Sequence, residues 1–355
     1  MMSVSRAGRA LLLVLLLPIL ASSVVQQLGK RVVVFGASGR VGRLVVNELL
    51  TRQNGTLTVR CVLRDVSKAE KAGLPTTNPR LELVQGNIEK EGSLEELCRG
   101  ADGAIWTATG FSDASTTTNK ILGLLKLKFS PASVIDVKGL KRIGELLADR
   151  DGVVQGGPTL VVCSSAGVTR PTWSVEKKRR LVGAADIPIV RLNPLNILDV
   201  KRSGEEALRS AMSKTQRYAI VRPCGLNDKC PPGRALLSQG DVAVGRICKP
   251  DAAKLLVDTL FEPAACGRTF EALALPNFAL PTSLDDQLRR LKLDSEPPAD
   301  EDALFAVYSL LQQIVPGETM RPNQLAMGQT YEQLDRGETG RLGERGSESA
   351  PITRS

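Results

Sequence analysis

From Lys30 onward, short apolar runs alternate with longer amphipathic ones. "RVVVF" (31–35) is rich in β-branched residues, which pack well on a pleated surface, and predicts a strand. A glycine-rich turn follows, and then Val41, Leu44, Val45 and Leu49 fall at helical spacing. The alternation recurs. "LTVRCVLRD" (57–65), "LELVQGN" (81–87), "GADGAIWTATG" (100–110), "TLVVCSSAG" (159–167) and "YAIVRPCG" (218–225) read as further strands, with helical stretches between most of them. Strands alternating with helices predict an α/β fold with a doubly wound parallel sheet. "PDAAKLLVDTLFEP" (250–263) predicts an amphipathic helix beside that sheet, and "TSLDDQLRRL" (282–291) begins a small C-terminal helical extension.

The first turn sharpens this to a Rossmann-type sheet. Gly36, Gly39 and Gly42 form G-x-x-G-x-x-G between a predicted strand and a predicted helix, the context a phosphate-binding turn requires. Gly36 permits the tight turn, Gly39 lets a pyrophosphate approach the backbone, and Gly42 lets the helix pack on the strand. The helix N-terminus offers amide N–H groups and a positive dipole end to the phosphates. Ser38, Arg40 and Val41, between these glycines, join the expected cofactor contacts. Arg64 stands at the end of the second strand, where an acid would grip an NAD ribose, and suits a 2′-phosphate, so NADP(H) is the expected cofactor. The alternative is that Arg64 and Arg40 are plain surface arginines. Strand ends line the crevice of such sheets. That places Gly86, Asn87, Thr109, Gly110, Ser164, Ser165 and Pro223 around the cofactor.

The pattern implies four regions: a leader (1–23), a dinucleotide-binding domain (30–275), a helical extension (276–327) and a mobile polar tail (328–355). The leader has Arg6 and Arg9, an apolar run from Leu11 to Leu20 and then small residues, the form of a secretory signal. The apolar run would cover about half of a bilayer core, so no stable transmembrane span is expected. Cleavage is expected between Ala21 and Val25.

Composition removes several chemistries. With no histidine among 355 residues, Ser-His-Asp and Cys-His mechanisms and histidine metal sites are excluded, and no metal site is expected. The net charge of +9 is partly concentrated in "EKKRR" (176–180), which reads as a solvated face. Only 3% of residues are aromatic, against a base-stacking platform, so no nucleic-acid partner is expected. The seven cysteines include no Cys-x-x-Cys and do not resemble a disulfide framework; free thiols are expected.

"VFGASGRVGR", "VLRD", "TATG", "VVCSSAGV", "DVKRSGEEAL" and "IVRPCGLND", in this order, resemble the atypical short-chain dehydrogenase/reductases. The resemblance is to their NmrA-like NAD(P)-binding branch of plant and algal chloroplasts, and covers about residues 30–275. "SQGDVAVGRICKPDAAKLLVDTL" and "GRTFEAL" resemble its C-terminal portion. Some chloroplast relatives carry an inserted domain; this chain has only residues 111–133 between its fourth strand and the next helix. The resemblance implies a plastid stroma, with the leader as the first part of a bipartite signal. The alternative is the secretory pathway or endoplasmic reticulum.

By position, Ser165 matches the family's catalytic serine and Lys201 its lysine. Mainstream members move a proton with a tyrosine four residues before that lysine, while the nicotinamide moves a hydride; the lysine tunes the tyrosine and holds the nicotinamide ribose. Here Ile197 stands in the tyrosine's place. The residues four beyond Tyr218, Tyr308 and Tyr331 are Arg222, Gln312 and Asp335, so Tyr-x-x-x-Lys occurs nowhere. Asn87 also replaces an aspartate common in the family. Lys201 has an alternative as a salt-bridge partner of Glu205 one turn on, and Ser164 and Ser165 as loop caps. Asn193 and Asn196 suit orienting a substrate carbonyl, and Cys224 is a candidate proton donor or a packed thiol. Two functions stay open. One is an NADP(H)-binding, cofactor-gated assembly or scaffold protein with little turnover, which meets a protein partner through the 167–196 loop or the C-terminal extension. The other is an NADPH-dependent reductase of a small plastid metabolite of unknown identity.

Overall fold

A computed structural model describes residues 29–52, 57–90, 92–111, 133–228, 233–276 and 283–314. The leader, nearly all of the 111–133 connection and the 328–355 tail lie outside the described residues.

An eight-stranded sheet runs through the middle. In chain order, its first six strands are β1 (Arg31–Phe35), β2 (Thr58–Leu63), β3 (Leu81–Gln85), β4 (Gly103–Trp106), β5 (Leu160–Cys163) and β6 (Tyr218–Pro223). A short parallel pair beside it joins β7 (Gly225–Asn227) to β9 (Arg246–Cys248), with β8 (Gly233–Ser238) between them in the chain. The main sheet is completed by β8 and β10 (Arg268–Pro276), in the order β3-β2-β1-β4-β5-β6-β10-β8. All neighbours are parallel except β8, which pairs antiparallel with β10. The chain leaves β1 in opposite directions to β2 and β4, which opens a crevice at the carboxyl ends of β1 and β4.

The strands are apolar on both faces because both are covered. Val32 and Val34 point into one core, with Val45, Val46 and Leu49 of α1 (Gly42–Thr51). Val33 and Phe35 point into the other, with Leu97 of α2 (Ser93–Leu97) and Ile143 and Leu147 of α3 (Leu140–Leu147). A wide π turn, Val134–Gly139, leads into α3. Such turns are rare and favour functional sites.

Residues 167–196, expected to be a loop, instead fold into short helices: α4 (Val175–Arg180), α5 (Val182–Ala185) and α6 (Pro188–Leu192). Their organiser is Arg170, fully buried, which donates to the carbonyls of Asp241 (2.7 Å), Ala184 (3.0 Å) and Ala243 (2.6 Å). Five donors in a rigid fork suit one arginine to tying several backbone segments together. The expected C-terminal helix over 250–263 is α8 (Lys249–Leu260), preceded by α7 (Ile197–Ala211), which carries Lys201. The extension supplies α9 (Asp285–Arg289) and α10 (Glu301–Ile314). Tyr308 and Leu311 of α10 share an apolar cluster with Val168, Trp173, Leu181 and Val190, so the extension and the short helices form one lobe. The Tyr308 hydroxyl accepts the Gly183 N–H at 2.8 Å.

Among the described residues no helix is long and apolar enough to cross a membrane, and no group of side chains is arranged to hold a metal ion. Cys61, Cys98, Cys163, Cys224 and Cys266 are free thiols, but Cys248 is disulfide-bonded, which corrects the expectation that all thiols are free.

Beneath α7 the sheet is polar. Arg222 on β6, Glu271 on β10 and Ser238 on β8 are neighbours in register, and all three are buried. Burial and the nearby Asp241 carboxylate push the Glu271 carboxyl up to about 7, against the pull of Arg222 and Arg170. A carboxyl raised from 4.5 binds its proton more tightly folded than unfolded, so its contribution to stability falls as pH rises from about 4.5 to 7. Glu271→Gln keeps the shape and removes the titration. We expect the variant to gain about 1–3 kcal/mol over the native protein at pH 8 and nothing at pH 4. Urea unfolding at the two pH values checks this; an equal difference at both would refute it.

Candidate functional site

The glycine turn is built from β1, α1 and the end of β4. Gly36 has φ +79°, and a Cβ there would lie 2.6 Å from the Ala108 amide nitrogen. At Gly42 a Cβ would lie 2.1 Å from the Gly36 carbonyl oxygen, so the helix can start there only on glycine. Gly39 differs: its Cβ would meet the Gly36 oxygen at 3.1 Å, which a small shift relieves. The turn's own packing thus requires glycine at 36 and 42, while the outer side of Gly39, exposed with Ser38 and Arg40, is open to an approaching group. The Thr107 hydroxyl donates to the Phe35 carbonyl at 2.8 Å and ties the two crevice walls together. Val41 opens α1 without a side-chain cap, and the first turn carries no acid. Its N-terminal amides and dipole therefore meet no competing anion on the helix itself.

Arg64 lies one residue past β2, exposed; its guanidinium makes no ion pair or hydrogen bond among the described residues, while its carbonyl accepts from the Gln85 side-chain amide at 3.4 Å. The neighbouring acid is already used: Asp65 caps the turn that follows and pairs with Lys68 at 3.0 Å. Past β3, Gly86 packs against Leu97, and the Asn87 side-chain oxygen accepts the Glu89 N–H at 3.0 Å. These residues, with Thr109 and Gly110 beyond β4, gather at the carboxyl ends of β1–β4, where the pattern placed them.

Within the protein, Lys201 has a partner other than Glu205. Its ammonium lies 3.3 Å from Asp136, a carboxylate 2% exposed in the π turn before α3. Asp136 also accepts the Gly110 N–H (2.7 Å) and the Thr109 hydroxyl (3.3 Å). One buried acid thus ties Lys201 to the loop after β4, and two expected cofactor contacts are already bonded within the protein. The contact is close because α7 is glycine at 204: a Cβ there would lie 1.9 Å from the Asp136 carbonyl oxygen. The only signals that could have marked Asp136 were slight: an acid in an amphipathic run and, far along the chain, a glycine inside a helix.

The alternative pairing of Lys201 with Glu205 is corrected. Glu205 is held by Arg222 through two bonds (3.0 and 2.5 Å), by Arg209 (2.9 Å) and by the Ser164 hydroxyl (2.6 Å). Burial alone would push this carboxyl up; Arg222 and Arg209 overcome it and hold it down at about 2. Ser164 is therefore spent on Glu205, while Ser165 donates to the Ala166 carbonyl at 3.0 Å, a local loop bond. Pro223 is buried at the end of β6, its carbonyl accepting the Ala166 N–H at 3.0 Å. Cys224 is a packed thiol, its sulfur 3.6 Å from the Ala243 carbonyl. Both ends of the Asn193 amide are engaged, by Asp199 and the Leu198 N–H. Ile197 packs against the lobe's apolar cluster. The cavity between Lys201, Asp136, Ser164 and Trp106 is about 10 Å³, room for about one water.

Fold and crevice define a Rossmann-type protein built to bind a dinucleotide. The chain belongs to the NAD(P)H-binding family, whose model matches residues 36–263. An uncharacterized chloroplastic protein of Arabidopsis thaliana is 25% identical over 252 residues, 69% of this chain and 77% of that protein. Among solved structures, a protein of Bacillus halodurans described as an NAD-dependent epimerase/dehydratase is similar with a TM-score of 0.50 and 21% identity, over 74% of this chain and all of that one. A short-chain dehydrogenase/reductase of Veillonella parvula in complex with NADP has a TM-score of 0.47 and 15% identity, over 71% of this chain and 99% of that one.

Removing one member of the Lys201–Asp136 pair strands the other in a buried place. Lys201→Met should therefore cost about 3 kcal/mol of stability, and Asp136→Asn added to it should restore more than half. Chemical denaturation of the four forms of the cycle measures the coupling; additive losses would mean that the pair is not an interacting unit.

Proposed function

We propose that this protein binds NADP(H) and acts through the bound state, presenting its 167–196 and α10 lobe to a protein partner with little or no turnover. One observation carries the reading. All nine large hydrophobic side chains exposed among the described residues lie on that lobe: Val175, Val182, Ile189, Leu192 and Leu195 on one segment, with Phe305, Val307, Leu310 and Ile314 on α10. Single exposed apolar residues are ordinary; their confinement to one lobe supports placing an interaction surface there. The site supports the same reading. Lys201 is committed to Asp136, Ile197 replaces an acid with a packed hydrocarbon, and Ser164 is committed to Glu205.

The residues fit the cofactor. The open side of Gly39 and the uncapped start of α1, with Ser38 and Val41 beside it, would take the pyrophosphate. Arg64, flanked by Arg40, would take a 2′-phosphate, and Asn87 would lie beside the adenine. Thr109, Gly110 and Pro223 would border the nicotinamide end, and the Lys201 ammonium would reach the nicotinamide ribose only by sharing itself with Asp136. A reduced nicotinamide supplies a hydride when bound; among the described residues no tyrosine stands beside Lys201 to pair that hydride with a proton. The motif order and the chloroplastic relative support placing the chain in an NmrA-like, plastid branch, with the leader as the first part of a bipartite signal.

Calorimetry tests the cofactor assignment. NADPH should bind at least about tenfold tighter than NADH, since Arg64 meets a charge that NADH lacks, worth about 1.4 kcal/mol or more. Arg64→Asp should reverse the preference, and Gly39→Val should abolish binding of both in a folded protein. Equal affinities in the native protein would sink the assignment. Turnover is tested by NADPH oxidation with quinones, aldehydes and enones. Robust activity that is lost in Lys201→Arg, which keeps the charge, would establish a reductase instead.

A further inference from the structure

The lobe holds a cleft separate from the crevice. It measures about 560 Å³, within the roughly 300–1,000 Å³ typical of small-molecule sites. Its lining combines the apolar Val182, Ala185 and Val190 with the cations Lys178, Arg179 and Arg191. Asp186 is the acid among the lining residues, so three cations stand against one anion, a net charge of +2. That acid is taken by Arg191 at 3.3 Å, and Arg179 pairs with Glu176. Lys178 has no such counter-charge among the described residues: its ammonium donates to the Pro171 carbonyl at 2.9 Å. A cation resting on a neutral carbonyl gains from a nearby anion more than one already paired.

The cleft also borders a strained turn. Asn193, which lines it, has φ 32°, and Leu195 and Asn196 have φ 59° and 56°. Asparagine tolerates the left-handed region, but leucine rarely adopts it. Strain of this kind persists where the surrounding structure demands a shape, and it clusters at ligand sites. The turn leads directly into α7 and Lys201.

We propose that this cleft binds a small amphipathic anion, a carboxylate or sulfonate with an apolar body, whose charge meets Lys178 and Arg191 and whose body lies on Val182 and Val190. The site is independent of the NADP(H) reading: neither Ser165 nor Lys201 lines it.

Octanoate is a suitable probe, with octanol as the neutral analogue and acetate as the anion without the body. Titrated into the full-length protein by calorimetry, octanoate should bind one per chain, at least about tenfold tighter than either analogue. Trp173 packs in the same lobe, under the Lys177 ammonium at 4.7 Å, so its fluorescence gives a second readout. Lys178→Met and Arg191→Met should each weaken octanoate about fivefold to tenfold, and Val182→Asp, at a position 54% exposed, should weaken it without unfolding the chain. Lys141→Met, on the far helix α3, should change nothing. Octanol binding as well as octanoate, or binding that survives the folded Lys178→Met/Arg191→Met double variant, would overturn the proposal. Displacement of octanoate by a glutamate-rich peptide at lower concentration would overturn it in favour of an acidic protein surface. NADPH titrated into the same samples separates the two readings, since loss of octanoate with NADPH binding intact refutes the cleft alone.

Discussion

Glu205 is 1% exposed, and a charge so placed must be met within the protein. Arg222 meets it from β6 with two bonds, Arg209 from the next turn of α7, and Ser164 from the end of β5. Three structural elements are thereby fixed to one carboxylate. Because its partners hold it ionised down to about pH 2, the stabilisation is present above the ordinary value of 4.5 and is lost as pH falls from there toward 2. Breaking such a pair from one side costs about 3–5 kcal/mol, since the other charge is left buried. The position of α7 on the sheet, and so of Lys201 one turn earlier, follows from this contact.

Where α7 meets the π turn, the backbones touch. Gly204 lets the Asp136 carbonyl approach, and the same residue's carboxylate reaches Lys201 and the amide of Gly110. In the family the chain resembles, the lysine works with a tyrosine one turn before it. Here that position is the apolar Ile197, turned into the lobe's core, and the lysine's charge is balanced by an acid from another helix. The exchange keeps a cation at the crevice and removes a proton donor from it.

The lobe and the crevice share the entry to α7. Arg170 ties the 167–196 helices to the segment around Asp241, and Asp241 accepts the N–H groups of Gly167 and Thr169 at 2.6 and 2.8 Å. The strained turn at 193–196 joins these short helices to α7, which carries Lys201.

Much of this was legible in the chain. The β-branched runs marked six strands because parallel strands are buried on both faces and need no alternation. The glycines at 36 and 42 were legible because a backbone atom occupies the place of each missing Cβ. Arg64 and the absent tyrosine were read from position alone. Tertiary structure decided what depends on partners far apart in the chain. Asp136 and Lys201 are 65 residues apart, Ser164 and Glu205 41, and β8 joins antiparallel to a strand the pattern did not mark. The 167–196 segment likewise took its short helices from contacts with Arg170 and α10, being too short in each piece to hold a helix by propensity. Local pattern determines which surfaces must be buried, but which charge meets which is settled only when the sheet brings them together.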